Sequence, residues 1–158
     1  MRLAHLLVIA SLALTSGFAQ AASWPAGAAV LPGSAVGEML HQCSRGAPDR
    51  GEASWQPGPH DIRALEAMLP RALMAARPSR DPTNWAAAPS GWLRQYVGIV
   101  QNGKRLIYGN FFPGAAKAEW PSWRRRPMIV CDGGPRFFGV VYDVAARRIV
   151  SLDFNGRP

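Results

Sequence analysis

The chain has 158 residues, with 18 Lys and Arg against 10 Asp and Glu and a formal net charge of +8. That length is one domain, long enough to bury about two thirds of its unfolded surface. Beyond the N-terminus no stretch is apolar for long enough to anchor in a bilayer, which excludes a transmembrane anchor in the rest of the chain.

The first residues read MRLAHLLVIASLALTSGFAQAA. Arg2 supplies a positive start, residues 6–14 form an apolar run too short to span a bilayer, and Ala19 and Ala21 have the small-residue spacing of a cleavage site. Residues 1–21 are read as a secretory signal peptide, and a signal this short points to the bacterial periplasm. Sixteen of the 18 basic residues are Arg. Two accounts compete for that charge. One is an anionic partner, such as an acidic envelope protein or an anionic envelope polymer. The other is GC-rich coding, which raises Arg, Ala, Gly and Pro together. Export removes nucleic acid from the possible partners, and oligomeric state is left open.

Residues 22–54 are rich in Ala, Gly, Pro and Ser and read as an extended or poorly ordered arm. Within it, residues 36–42 could form one or two helical turns. The arm is tied down at Cys43, because two cysteines in an oxidising compartment favour a Cys43–Cys131 disulfide. In the chain-entropy model, closing a loop of about 90 residues contributes at most roughly 4 to 5 kcal/mol.

From residue 55 to 158 the chain reads as a single α+β domain. Gly58 suits a helix N-cap, Pro59 the first helical position, and Asp61 the positive end of the helix dipole. Ile62, Leu65, Leu69, Leu73 and Ala76 recur at helical spacing and form one apolar face, while Glu66 points elsewhere, toward solvent or a basic partner. Pro70 has no N–H to offer the Glu66 carbonyl, so a kink or restart is expected there, and Pro78 ends the helix. Residues 78–91 are a loop by composition.

The period then changes to two. Residues 94–101 and 104–112 flank Asn102-Gly103, a strong hairpin signal. Val97, Ile99, Leu106 and Tyr108 share one face, and Tyr96, Val100 and Ile107 the other, with Tyr96 covering Gly109. Two apolar faces place the hairpin centrally in its sheet. Residues 113–127 are a second long loop. Three further strands are expected at residues 128–131, 137–143 and 149–155. In the last, Val150, Leu152 and Phe154 point one way and Ser151, Asp153 and Asn155 the other. One main helix packed on a curled antiparallel meander of about five strands, pinned by one disulfide, follows. The layout is similar to a cystatin-like architecture, by analogy alone.

Trp55 with HDIRALEAML, RQYVGIVQNGKRLIYGNFF, VCDGG, FFGVVYD and DFNG together resemble a group of small uncharacterised exported proteins of Gram-negative bacteria. Its members carry RQYxG, IYxNxF, CDGG and FNG motifs. The resemblance covers roughly residues 55 to 156 and implies a fold and an exported location, with no activity attached.

Several residues are candidates for chemistry. Cys131 as a nucleophile needs a free thiol and a nearby base, for which His41 is the geometric choice. The cysteine and histidine spacing matches no metal site, and no cofactor motif is present. Asp132 and Asp143 suit Asx turns, and Asp153 faces out. Trp120, Trp123, Arg124, Arg125 and Arg126 form a loop of hot-spot residues able to fork onto phosphate or carboxylate. The competing account has a Trp plugging the sheet while the arginines solvate the loop. Arg94, Gln95, Asn110 and Asn155 are polar residues among apolar strands, expected to hydrogen-bond one another at one end of the sheet or to line a pocket. The function these features suggest is a non-enzymatic periplasmic binding or inhibitor protein. An envelope factor holding anionic polymer and a Cys131-dependent hydrolase are the alternatives.

Overall fold

The computed structural model describes residues 23–78, 83–87 and 90–157. The signal-peptide reading of residues 1–21 and part of the loop at residues 78–91 lie outside the described residues. The arm contributes strand β1 (Ala28–Val30), a 3-10 turn at Gly33–Ala35, helix α1 (Val36–Leu40) and strand β2 (Ala53–Trp55). Helix α2 (Pro59–Ala76) follows, then the hairpin β3 (Trp92–Gln101) and β4 (Lys104–Pro113), and finally β5 (Phe138–Asp143) and β6 (Arg148–Phe154).

The strands form one mixed α+β sheet ordered β1-β3-β4-β5-β6, with β2 also on β3. The Asn102-Gly103 turn sets the hairpin register: Ile99 faces Leu106, Val97 faces Tyr108 and Tyr96 faces Gly109. Both turn residues have positive φ, 51° and 70°, as a type I′ turn requires. The hairpin is central, as its two apolar faces imply. Beside β3, β1 runs parallel along Arg94–Tyr96 and β2 antiparallel along Gly98–Val100, so two short strands share the edge opposite β4.

Several expectations are corrected. The sheet is not a purely antiparallel meander, because β1 enters parallel from the arm. The arm is therefore an ordered part of the sheet; strands of three residues are too short to show a period. Residues 128–131 form no strand. They lie over a sheet face, where side chains rather than a neighbouring strand take their backbone groups. In β6 the expected stripe breaks at Val150. A register shift opposite Val141/Tyr142 pairs Ser151 with Val141 and Ile149 with Tyr142, leaving Val150 unpaired and 44% exposed. Ile149, Leu152 and Phe154 then reach the main core together.

Helix α2 continues through Pro70 without a break. Leu65, Leu69 and Leu73 are fully buried on both sides of the proline, so packing holds the helix across the missing hydrogen bond. Ala76 is exposed in the last turn, beyond the end of the buried stripe. At the other end the Gly58 N–H donates to Asp61 Oδ2 at 2.9 Å. The helix buries Ile62, Leu65, Leu69 and Leu73 against Tyr96, Ile107, Phe111, Phe138, Val140 and Tyr142. The opposite sheet face is covered as well. There Leu31, Val36 and Met39 pack on Val97, Ile99, Leu106, Tyr108 and Val141, and Trp123 and Met128 pack on Phe112. No helix among the described residues is long and apolar enough to cross a membrane.

Arg94 leaves the expected four-residue polar cluster, because neighbours in a strand point to opposite faces. Gln95 faces the arm side, while Arg94 faces α2 and meets Glu66, the basic partner that Glu66 called for. Arg94 Nε and Nη2 donate to the two Glu66 oxygens at 2.8 Å each, and Nη1 donates to the Trp92 carbonyl at 2.8 Å. Tyr96 Oη donates to Glu66 Oε1 at 2.8 Å. Burial works against the Arg94 charge, but Glu66 outweighs it and raises the Arg94 pKa. Burial, reinforced by Glu66, holds the Tyr96 hydroxyl well above its ordinary range.

Removing one member of such a buried pair strands the other's charge. Glu66→Ala is expected to lower the urea-unfolding free energy by about 3 kcal/mol, and Glu66→Gln by less. The Tyr96 shift also sets an alkaline limit. A raised folded pKa means its stabilisation is complete below the ordinary tyrosine value of about 10 and is lost as pH climbs toward the folded value. Tyr96→Phe is expected to flatten this alkaline loss in denaturation curves, leaving the weaker slope of Tyr108 and Tyr142, whose pKa values burial also raises.

Candidate functional site

Gln95 on β3, Asn110 on β4 and Asn155 just after β6 are all buried on the arm side of the sheet. Each is a carboxamide and carries both a donor and an acceptor, as a peptide group does. Gln95 Nε2 donates to the carbonyls of Trp123 and Arg126, the latter at 2.6 Å. Gln95 Oε1 accepts from the Met128 N–H at 2.8 Å. Asn110 Nδ2 donates to the Met128 carbonyl at 2.8 Å and to Gln95 Oε1 at 3.1 Å. Asn155 Nδ2 donates to the Val130 carbonyl at 2.6 Å. Three side chains thus hold the backbone of residues 123–130 over the sheet.

Arg45 joins the two asparagines, a member of the cluster that its place in the loop-like arm concealed. Its Nη1 donates to Asn155 Oδ1, its Nη2 to Asn110 Oδ1, and its Nε to Tyr108 Oη at 3.1 Å. Gly139 leaves the necessary space, since a Cβ there would stand 2.9 Å from Arg45 Nε and 2.7 Å from Tyr108 Oη. Burial raises the Tyr108 pKa, with Arg45 pulling the other way. The expected hydrogen-bond cluster therefore forms from Gln95, Asn110 and Asn155, with Arg45 in place of Arg94.

The disulfide Cys43–Cys131 closes beside this cluster. The Ser44 carbonyl accepts from the Gly156 N–H at 3.1 Å, and Ser44 Oγ accepts from the Asp132 N–H at 3.1 Å. The thiol chemistry considered for Cys131 is spent on the bond to Cys43, and no free cysteine exists among the described residues. Asp143 accepts from the Ala146 N–H at 2.9 Å and shapes the β5–β6 turn. Asp132 takes a φ of 56° in the CDGG loop. Asp153 accepts from Ser151 Oγ at 3.0 Å. Among the described residues no group of three or more His, Cys, Asp or Glu could hold a metal ion.

The Trp/Arg loop has the buried tryptophan that the plugging account expects. Trp123 is buried and meets Phe112 edge-on at 6.0 Å, while Trp120 is half-buried against the same cluster. Trp123 is the plug. Arg124, Arg125 and Arg126 are exposed. The Arg125 and Arg126 N–H groups both donate to the Ser122 carbonyl, at 2.8 and 3.0 Å, which closes the loop into a turn. The Arg124 guanidinium lies 4.4 Å over the Trp123 ring, and Nη1 donates to the Ala28 carbonyl at 3.3 Å. None of the three takes part in an ion pair among the described residues. Three unneutralised cations are thus displayed on a backbone fixed by a buried aromatic ring and a buried amide. No family model, curated protein or solved structure matches the chain.

Gln95→Leu keeps the size but leaves two carbonyls and one N–H of the loop without partners. It is expected to cost about 2 to 4 kcal/mol in urea denaturation and to expose the Met128 amide to rapid hydrogen exchange. The oxidised native protein is expected to show no titratable thiol. Cys43→Ser with Cys131→Ser is expected to cost up to about 4 to 5 kcal/mol.

Proposed function

We propose that the chain is an exported, periplasmic binding protein whose contact surface is the loop of residues 120–126. The observation that carries this reading is the display of Arg124, Arg125 and Arg126, exposed and free of acidic partners among the described residues, on a backbone locked by Gln95 and Trp123. A pre-ordered loop loses little freedom on binding, so more of its contact energy appears as affinity. Guanidinium forks suit phosphate and carboxylate oxygens, so the partner is anionic. The disulfide fits an oxidising compartment. The N-terminal leader pattern and the resemblance to small exported proteins of Gram-negative bacteria favour the periplasm. Inhibition of an acidic envelope protein and attachment to an anionic envelope polymer are two forms of the same reading.

The reading is tested against overall charge. Retention of the oxidised protein on a polyanionic matrix is compared for two variants that each remove three cations. Arg124→Ala/Arg125→Ala/Arg126→Ala is expected to elute at clearly lower salt than Arg71→Ala/Arg136→Ala/Arg148→Ala, with both unfolding thermally like the wild type. Equal elution of the two would show that the loop is no site and that charge alone governs retention.

A further inference from the structure

The loop does not stand alone at its edge of the sheet. Strand β1 pairs with β3 on one side only, so the arm runs along the outer rim of the sheet. Two layers send an arginine to that rim. From the helix layer, Arg63 Nη1 donates to the Ser23 carbonyl at 3.0 Å. From the opposite layer, Arg124 Nη1 donates to the Ala28 carbonyl at 3.3 Å. Both acceptors are neutral peptide groups, so neither positive charge is cancelled, and both arginines are exposed. Ser23 and Ala28 are five residues apart, which caps their separation at about 18 Å. The turn that brings the Ala28 N–H onto the Pro25 carbonyl at 3.1 Å draws them closer. Between them stands Trp24, which is 49% exposed.

Trp24 is the anomaly in this molecule. Trp85 and Trp123 are buried and Trp55, Trp92 and Trp120 are at least half-buried, whereas Trp24 keeps about half of its surface in water. A large exposed indole flanked by uncancelled guanidiniums is the composition that settles at a lipid–water boundary, the ring at headgroup depth and the cations among phosphates. Trp and Arg also serve as hot-spot residues at protein interfaces, and the vesicle test separates an acidic protein partner from a lipid surface.

We propose that this rim, comprising Trp24, Arg63 and Arg124 and continuing into Arg125 and Arg126, docks on a membrane surface bearing anionic phospholipid. The proposal rests on the reading of loop 120–126 as a contact surface and names the partner. The protein lies on the bilayer without entering it: Arg63 and the loop arginines meet lipid phosphates while Trp24 seats in the headgroup layer. Because the attraction is largely electrostatic, it weakens steeply with salt.

The test uses the oxidised chain from Ala22 onward, which contains every described residue, and vesicles of phosphatidylcholine with or without phosphatidylglycerol. Co-sedimentation is expected with the phosphatidylglycerol vesicles only, and to be lost at high salt. Arg124→Ala/Arg125→Ala/Arg126→Ala is expected to weaken it by about a hundredfold, and Arg63→Ala with Trp24→Ala by at least about fivefold. Brominated lipid is expected to quench part of the tryptophan emission, and Trp24→Phe to abolish that quenching. If the wild type ignores both vesicle types, the membrane proposal is overturned, while the loop reading stands or falls on its matrix retention. If the loop variant loses binding but Arg63→Ala with Trp24→Ala does not, the rim is not the docking face and the loop acts without it. If the loop variant matches the control variant on vesicles and matrix alike, both readings fail.

Discussion

A polypeptide laid across a β-sheet face has peptide groups that no neighbouring strand can reach, and burying them unpaired costs more than packing returns. Residues 123–130 are in that position. Gln95, Asn110 and Asn155 resolve it by standing up from the sheet and offering the pairing that a strand would have given. Trp123 and Met128 can then be buried on Phe112 because the chain that carries them has its polar groups met. The arginine loop is the exposed continuation of this arrangement, and its order derives from the same amides.

The two sheet faces solve the same problem in different ways. Toward α2, one carboxylate accepts from a guanidinium and a phenol, and the three groups join the helix to β3 within an otherwise apolar layer. On the arm side, Arg45 finds no acid and bonds three neutral oxygens instead. The first arrangement ties helix to sheet. The second ties the N-terminal arm to the sheet and to residues 110 and 155, with the disulfide alongside. Buried networks of this kind hold their shape because every member needs the others.

Much of this is legible in the sequence. The Asn102-Gly103 hairpin, the Ile62/Leu65/Leu69/Leu73 stripe and the cysteine pair are local or compositional signals, and each holds. What escaped was non-local. Strands Ala28–Val30 and Ala53–Trp55 have too few residues for periodicity and exist because β3 offers them an edge. Residues 128–131 have the β-branched look of a strand, but Gln95, Asn110 and Asn155 take the Met128 and Val130 backbone groups over a sheet face, away from any edge. Arg45 carries no local mark of burial; only the space left by Gly139 and the oxygens of Tyr108, Asn110 and Asn155 bring it in. The arginines at 124–126 were readable as a loop, whereas the contribution of Trp24 and Arg63 to the same rim depends on three-dimensional placement.

The parallel pairing of β1 with β3 has a consequence in time. Ala28 is made long before Arg94, its partner in the ladder. The first strand to leave the ribosome must therefore wait for α2 and half the hairpin before it can pair. It joins by closing a long loop, and the entropy cost of that closure rises with the sequence separation. Until then the arm has no place in the sheet, and the earliest described strand stays unprotected while α2 and β3 are made. A protease or a chaperone would meet this molecule first through its arm.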